Sequence, residues 1–172
     1  VLRLEKGEIV FRQGEMPQQL FYVQAGTVKV SRTGGAGKYQ ILRFISQGEI
    51  FGYGAAMADE PYVVSAEAFE DCEIWAISLS CVRHTLLHSP EVAHYVLRRL
   101  AQELATADCR LVSLTHGHLR GRMAETLLFL SRINSKEEGH LDVLAHLTRR
   151  ELAALSNMST ANAIRTLTQF VE

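Results

Sequence analysis

Two short segments near the end of the chain combine helix-capping residues with basic and polar side chains. Thr148-Arg-Arg-Glu151 has the spacing of a capping box, in which the Thr hydroxyl and the Glu carboxylate satisfy backbone N–H groups at a helix start. Ser159 is placed to cap a second helix, whose predicted buried stripe is Ala163, Leu167 and Phe170. Two short helices joined by a tight turn predict a helix-turn-helix, which inserts its second helix into the DNA major groove. An ordinary helical hairpin fits the same pattern, and the motif alone leaves both readings open.

Histidines and cysteines form no comparable group. His84 and His88 are one helical turn apart, but no third and fourth ligand can be placed beside them, so no metal site is predicted. Cys72, Cys81 and Cys109 lack the close spacing of metal, redox or iron–sulfur ligands, and their odd number fits a reducing compartment. No paired carboxylates, nucleophile elbow or phosphate-binding loop emerges, so an enzyme is the least favoured class and no catalytic residue is predicted.

The elements that position these side chains belong to a globular chain. The sequence has 172 residues, with 47% apolar and 22% charged residues and a net charge of -1. This composition argues against a disordered tail, and no run approaches the roughly 18 apolar residues of a membrane span, so no membrane partner is predicted. With no signal peptide visible from Val1 onward, a cytoplasmic location is expected. Residues 115–172 carry seven basic and six acidic residues, against a net charge of -2 for residues 1–114.

The first part of the chain predicts short strands. Nine of the twelve glycines fall within the first 54 residues, between runs rich in Val, Ile, Phe and Tyr, which is typical of strands joined by tight turns. Such short strands favour a sandwich or a barrel. The predicted strands are Ile9–Arg12, Leu20–Gln24, Thr27–Arg32, Gln40–Ile45, Val64–Ala68 and Glu73–Ile77.

A single long helix is predicted from Pro90, with Ser89 as its cap, because neither proline nor glycine intervenes before Gly117. Apolar residues recur along it at alternating four- and three-residue steps, the pattern of a coiled coil. This narrow stripe favours a homodimer, while an amphipathic helix packed on its own domain is the alternative. The stripe consists of Ala93, Leu97, Leu100, Leu104, Ala107, Leu111 and Leu114, and the predicted dimer interface comprises all of these except Ala93.

Five motifs, in this order along the chain, resemble the cyclic-AMP receptor protein/FNR superfamily of bacterial transcription regulators. The resemblance implies an α+β protein: a jelly-roll-like β-roll sensor domain at residues 1–88, a dimerisation helix at 89–116, and a winged helix-turn-helix domain at 117–172, with the wing missing from this chain. The motifs are Phe11-Arg-Gln-Gly-Glu15, Leu20-Phe-Tyr-Val-Gln-Ala-Gly-Thr-Val-Lys29, Gly48-Glu-Ile-Phe-Gly52, Gly121-Arg-Met-Ala-Glu-Thr-Leu-Leu128 and Leu147-Thr-Arg-Arg-Glu-Leu-Ala-Ala-Leu-Ser-Asn-Met-Ser-Thr160.

The resemblance also defines the positions of a nucleotide pocket. Nucleotide-binding members hold the ribose with a Gly-Glu pair and the cyclic phosphate with an Arg-Ser pair, and polar residues of the long helix meet the purine. No Arg or Lys lies between Arg43 and Arg83, and burying an unpaired phosphate is costly, so we predict that cyclic AMP and cyclic GMP are not bound. The effector is unknown, with haem or an iron–sulfur cluster left open. The matching positions here are Gly52, Tyr53, Val64, Ser65, Ala107 and Asp108.

On the DNA side, the resemblance assigns a phosphate contact to Arg149 and base reading to Thr160, Ala161 and Arg165. Arg165 is the strongest candidate, because a bidentate arginine–guanine contact is worth roughly 1–3 kcal/mol of discrimination. A double-stranded DNA operator, a second copy of the chain and RNA polymerase are the implied partners. The full predicted set is Thr148, Arg149, Ser159, Thr160, Ala161, Asn162 and Arg165.

One alternative belongs to a different class of function. A β-roll regulatory domain can bind a ligand and act on protein partners rather than on DNA. The Thr148–Phe170 motif argues against this reading, because such a domain has no need of a helix-turn-helix.

Overall fold

The computed structural model describes residues 1–134 and 143–171. The chain forms two compact units, each described here by itself. The first comprises Val1–Arg32 and Arg43–Thr106, and the second comprises Thr33–Leu42 and Ala107–Glu172. This division falls inside the long helix, whereas the domain boundaries after residues 88 and 116 remain predictions.

Within the described residues, eight strands form two four-stranded sheets. Their orders are β1-β8-β3-β6 and β2-β7-β4-β5, and every pairing with a described register is antiparallel. The α+β class and the β-roll are therefore as predicted. The strands are β1 (Leu2–Leu4), β2 (Ile9–Phe11), β3 (Gln19–Ala25), β4 (Val28–Thr33), β5 (Tyr39–Ile45), β6 (Ile50–Phe51), β7 (Ser65–Ala68) and β8 (Cys72–Ser78).

The β-roll core is aromatic and receives side chains from both sheets. Phe11 of β2 stacks on Tyr62 with ring centroids 3.7 Å apart, and on Phe21 of β3 at 5.7 Å. Phe21 in turn stacks on Phe51 at 5.3 Å. Gly26 makes the β3–β4 turn with a φ of 86°, and a Cβ at this position would lie 2.5 Å from the Asp71 carbonyl oxygen. No other residue fits that turn, because both the conformation and the space exclude a side chain.

All six predicted strands appear, with their ends shifted by at most one residue. The elements that were not predicted include strands β1 and β6 and helix α1 (Tyr53–Ala58). Segments of two or three residues are too short to show a period, and α1 contains a glycine that lowers its helix propensity.

Two further helices follow the β-roll. Helix α2 (Leu79–His88) is capped by Ser78, and helix α3 (Pro90–His116) begins where predicted. Ser89 Oγ accepts a hydrogen bond from the Val92 N–H at 3.4 Å, which confirms the predicted cap. Pro90–Thr106 of α3 belong to the first unit and Ala107–His116 to the second.

The second unit is helical apart from the β4–β5 hairpin tip. It contains α4 (Leu119–Asn134), α5 (Val143–His146), α6 (Arg149–Leu155) and α7 (Thr160–Val171). The sequence Gly121–Arg132 predicts a helix whose apolar face consists of Met123, Leu127, Leu128 and Leu130. Met123 and Leu130 are buried as predicted, but Leu128 is 58% exposed, because it lies five residues, or about 140° of helix rotation, after Met123. The sequence also predicts a loop over Asn134–Gly139, which lies outside the described residues except for Asn134, the last residue of α4. Across the described ranges, no helix has the length and apolar character needed to cross a membrane.

Candidate functional site

The capping box at the start of α6 forms as predicted. The Glu151 N–H donates to Thr148 Oγ1 at 3.1 Å, and the Thr148 N–H donates to Glu151 Oε2 at 3.1 Å. Leu152 and Leu155 are buried on the inner face of α6. The outer face of its first turn therefore presents Arg149, which is exposed.

A left-handed turn joins α6 to α7. Asn157 has a φ of 52°, and the Met158 N–H returns to the Ala153 carbonyl at 3.0 Å. Ser159 Oγ accepts from the Asn162 N–H at 3.2 Å, which confirms the predicted cap of α7. The two helices and their turn thus have the shape predicted for a helix-turn-helix.

The predicted base-reading residues lie together on the exposed side of α7. Thr160, Ala161 and Arg165 are exposed, as is Ser159, while Asn162 is half-buried. Arg165 Nη2 donates to Asn162 Oδ1 at 3.0 Å, so a neutral amide orients the guanidinium from one turn earlier. This face offers hydroxyl and guanidinium donors of the kind that contact phosphates and base edges.

The predicted buried stripe of α7 is wrong at Phe170. Ala163 is fully buried, but Phe170 is 40% exposed and Thr166 is buried at 3% exposure. Thr166 lies three residues after Ala163 and takes the inward position. The guanidinium carbon of Arg120 lies 5.6 Å from the centroid of the Phe170 ring and covers one face of it.

A cavity of about 710 Å³ lies between the start of α4 and the middle of α7. Arg165 is the predicted base reader, whereas Arg120 was not singled out from the sequence. The lining residues are His118, Leu119, Arg120, Gly121, Arg165, Thr166 and Gln169.

Arg110 is a further residue that the sequence did not indicate. Its guanidinium donates to the Leu42 carbonyl of β5, and to the Leu155 carbonyl at the end of α6 at 3.3 Å. The guanidinium carbon lies 4.8 Å from the Phe129 ring centroid. Burial lowers the pKa of Arg110. All of these partners belong to the second unit, so Arg110 ties its hairpin, its long helix and its helix-turn-helix together.

In the first unit, Tyr53 is the residue predicted at the ribose-binding position. Its side chain is 1% exposed, and its hydroxyl donates to the Glu103 carboxylate of α3. Burial, followed by this hydrogen bond, raises the pKa of Tyr53 to about 12. The preceding Gly52 has a φ of 83°, and a Cβ there would lie 3.2 Å from the Phe21 ring.

The cations beside Tyr53 are paired with carboxylates. Arg43 forms an ion pair with Glu103, and Arg99 Nη2 lies 3.1 Å from Glu49 Oε1. Burial by itself would lower the pKa of Arg99, but the Glu49 carboxylate outweighs it and the pKa is raised. This cluster therefore neutralises its own charges.

The other predicted pocket residues of the first unit, Val64 and Ser65, are uncharged. Val64 is half-buried against the aromatic core, and Ser65 Oγ accepts from the Gln13 N–H at 2.9 Å. Neither residue supplies a cation, and a buried phosphate requires one. Ala107 and Asp108 are exposed on α3 and belong to the second unit.

The predicted dimer stripe of α3 is partly exposed. Leu97, Leu104 and Leu111 follow one another at seven-residue intervals and are 65%, 64% and 62% exposed. Ala107 is also exposed, whereas Leu114 is half-buried and Leu100 packs against the cluster formed by Leu20, Tyr53 and Ala56.

Comparison with known proteins identifies the β-roll. The cyclic nucleotide-binding domain family matches residues 1–89. The cyclic AMP receptor protein of Thermus thermophilus is 32% identical over 167 residues, which are 97% of this chain and 74% of that protein. A CRP-like cAMP-activated global transcriptional regulator of Mycobacterium tuberculosis is 28% identical over 166 residues, covering 96% and 74% of the two chains.

The fold likeness extends over the chain. FixK2 from Bradyrhizobium japonicum matches with a TM-score of 0.84 at 22% identity, covering 99% of this chain and 83% of FixK2. A β-roll of the cyclic nucleotide-binding type, a long helix and a capped helix-turn-helix define the class of protein. The chain belongs to the cyclic-AMP receptor protein/FNR superfamily of bacterial transcription regulators.

Proposed function

We propose that this chain is a homodimeric, DNA-binding transcription regulator that reads its operator with α7. The observation that carries the proposal is the capped helix-turn-helix, whose exposed α7 face presents Arg165 with its guanidinium oriented by Asn162. The similar Mycobacterium tuberculosis protein is named a global transcriptional regulator, which supports the same conclusion. Family membership also suggests RNA polymerase as a protein partner. The proposed sensor segment is residues 1–88, the proposed dimerisation segment is residues 89–116, and the proposed DNA-binding segment is residues 117–172.

Dimerisation through α3 is supported by the exposed leucines at 97, 104 and 111. A monomer gains nothing from leaving three large apolar side chains in one line on a helix, whereas a second copy would bury them. Leu104→Glu places a charge at the centre of this line. We expect the wild-type chain to have the mass of a dimer in light scattering, and the variant to have the mass of a monomer while keeping its circular dichroism spectrum.

The experiment that tests DNA reading is selection of duplexes from a random pool by the purified protein. We expect one sequence to be enriched, and Arg165→Ala to remove the preference at a G·C pair within it. Ser80→Ala, a change to a residue of α2, is the control. Failure of the wild-type chain to enrich any sequence would leave the alternative of a β-roll that acts on protein partners.

We also infer that cyclic AMP and cyclic GMP are not effectors of this chain. Val64 replaces the arginine that the phosphate needs, and the Tyr53 hydroxyl is already bonded to Glu103. Calorimetry with each nucleotide is expected to show no heat of binding, and micromolar binding would contradict the inference.

A further inference from the structure

We propose that Arg120, held over the Phe170 ring, binds a phosphate of the DNA backbone beside the bases that α7 reads. This inference rests on the proposed function, because it assigns a second DNA contact to a residue outside the helix-turn-helix. The phosphate-binding site is the cavity between the start of α4 and α7, on the side lined by His118 and Arg120.

Residues at the start of α4 and residues of α7 line the same cavity, so one ligand there would contact both helices. Arg165 and Gln169 line it from α7, and His118 and Arg120 line it from the start of α4. Arg165 is the predicted base reader, so whatever nucleic acid it contacts passes this cavity. A helix is about 10–12 Å across and the major groove about 12 Å wide, so groups that flank an inserted helix are at the distance of the phosphates.

The charge of the cavity suits an anion. Its lining contains two arginines and a histidine and no carboxylate. Among residues 1–134 and 143–171, neither Arg120 nor Arg165 forms an ion pair with an acidic side chain, and Arg165 bonds only to the neutral Asn162 amide. A phosphate entering the cavity therefore displaces no acidic partner.

The contact with Phe170 fixes the orientation of the Arg120 guanidinium. Stacking on an aromatic face fixes the plane of a guanidinium and uses none of its N–H donors, which point outward from its edge. Phe170 is 40% exposed although it was predicted to be buried, and the Arg120 guanidinium lies over its ring. Arginine in this position can grip two phosphate oxygens at once.

The test measures DNA affinity of the full chain by fluorescence anisotropy. The probes are a duplex of about 30 base pairs selected by the wild-type protein, long enough for two half-sites, and a shuffled duplex of the same composition. Each is titrated between about 50 and about 200 mM KCl. The variants are Arg120→Ala, Arg120→Gln, which keeps most of the side chain, and Arg120→Lys, which keeps the charge.

We expect Arg120→Ala and Arg120→Gln to weaken binding to both duplexes by the same factor, about tenfold, since phosphate contacts carry no sequence information. The slope of log affinity against log salt should fall by about 0.9 for each protomer that makes the contact, and Arg120→Lys should restore it. Arg98→Ala, an exposed arginine of α3 in the first unit, is the matched control and should leave the slope unchanged. Circular dichroism confirms that each variant is folded.

Three results would overturn the proposal, and they are distinguishable. An unchanged salt slope in Arg120→Ala, with wild-type binding intact, rejects the phosphate site alone. A loss confined to the selected duplex makes Arg120 a base reader. A wild-type chain that binds neither duplex rejects the proposed function itself.

Discussion

The two halves of α3 are attached to their units by different chemistry. In the first unit, Glu103 accepts from Tyr53 and pairs with Arg43, and Arg99 pairs with Glu49, so every partner is a side chain. In the second unit, Arg110 donates to two backbone carbonyls and stacks on Phe129. The first arrangement balances charge with charge, whereas the second places a cation against peptide dipoles.

This difference teaches what each attachment depends on. Substituting either partner breaks a charge pair and leaves the other charge without its partner. A backbone carbonyl acceptor is present whatever side chain stands at its position. The Leu155 carbonyl is at the end of α6, where helix carbonyls lack intrahelical partners and attract cations. Arg110 and the Phe129 ring are therefore the parts of this attachment that a substitution can remove.

The largest effect is expected for Arg110→Met, which keeps an apolar stem against Phe129 and removes the donors. Losing charge-assisted hydrogen bonds to two buried carbonyls should lower the free energy of unfolding by about 3 kcal/mol. Trp75 is the only tryptophan and lies in the first unit, so its fluorescence reports that unit. In urea unfolding, the loss should be larger by circular dichroism at helical wavelengths than by Trp75 fluorescence.

Arg98→Met, the same change at an exposed position of α3, is the control and should cost less than about 0.5 kcal/mol. Equal shifts of both probes in Arg110→Met would show that the two attachments are not separate.

Glu103→Gln should have the next largest effect, and in the other unit. It removes the carboxylate that faces Arg43 and Tyr53 while preserving the shape of the side chain, and we expect a loss of about 2 kcal/mol, seen first in Trp75 fluorescence.

Asp59→Asn is the matched change of carboxylate to amide, because Asp59 pairs with Arg83 in the same unit with side chains 72% and 53% exposed. That exposed pair should contribute less than about 1 kcal/mol. A loss in Glu103→Gln as small as that in Asp59→Asn would mean that burial adds nothing to the first attachment.

The smallest effect is expected for Tyr53→Phe, about 1.5 kcal/mol at neutral pH from the hydrogen bond to Glu103. It also depends on pH. The folded-state pKa of Tyr53 is raised from 10.0 to about 12, so its contribution is complete below pH 10.0 and is lost as the pH rises through about 12.

The difference in stability between wild type and Tyr53→Phe should thus stay constant to pH 10 and then shrink, as measured by urea unfolding at each pH. Tyr62, whose pKa is also raised to about 12, is present in both proteins and cancels. A difference that stays constant up to the folded-state pKa would show that Tyr53 ionises equally in the folded and unfolded chains.

Much of the fold was predictable because its signals are local. The strands alternate or cluster β-branched residues between glycines, and the caps at Ser89, Thr148 and Ser159 bond only three residues ahead.

The sequence could not indicate the contacts that cross large separations. Glu103 is 50 residues from Tyr53, and Arg110 bonds to carbonyls 68 and 45 residues away. Carbonyl acceptors leave no trace in residue type, so no pattern marks Arg110. The prediction that Phe170 is buried was wrong, because the spacing of apolar residues along a helix does not show that the Arg120 guanidinium covers the Phe170 ring.

The leucines exposed at seven-residue intervals on α3 affect how the amount of active protein depends on the amount of chain that the cell makes. If the active species is the dimer that these leucines build, its concentration rises with the square of the chain concentration whenever monomers are in excess. Doubling expression then raises the number of active dimers about fourfold. A cell can switch such a regulator by changing its synthesis or breakdown modestly, with no small molecule required.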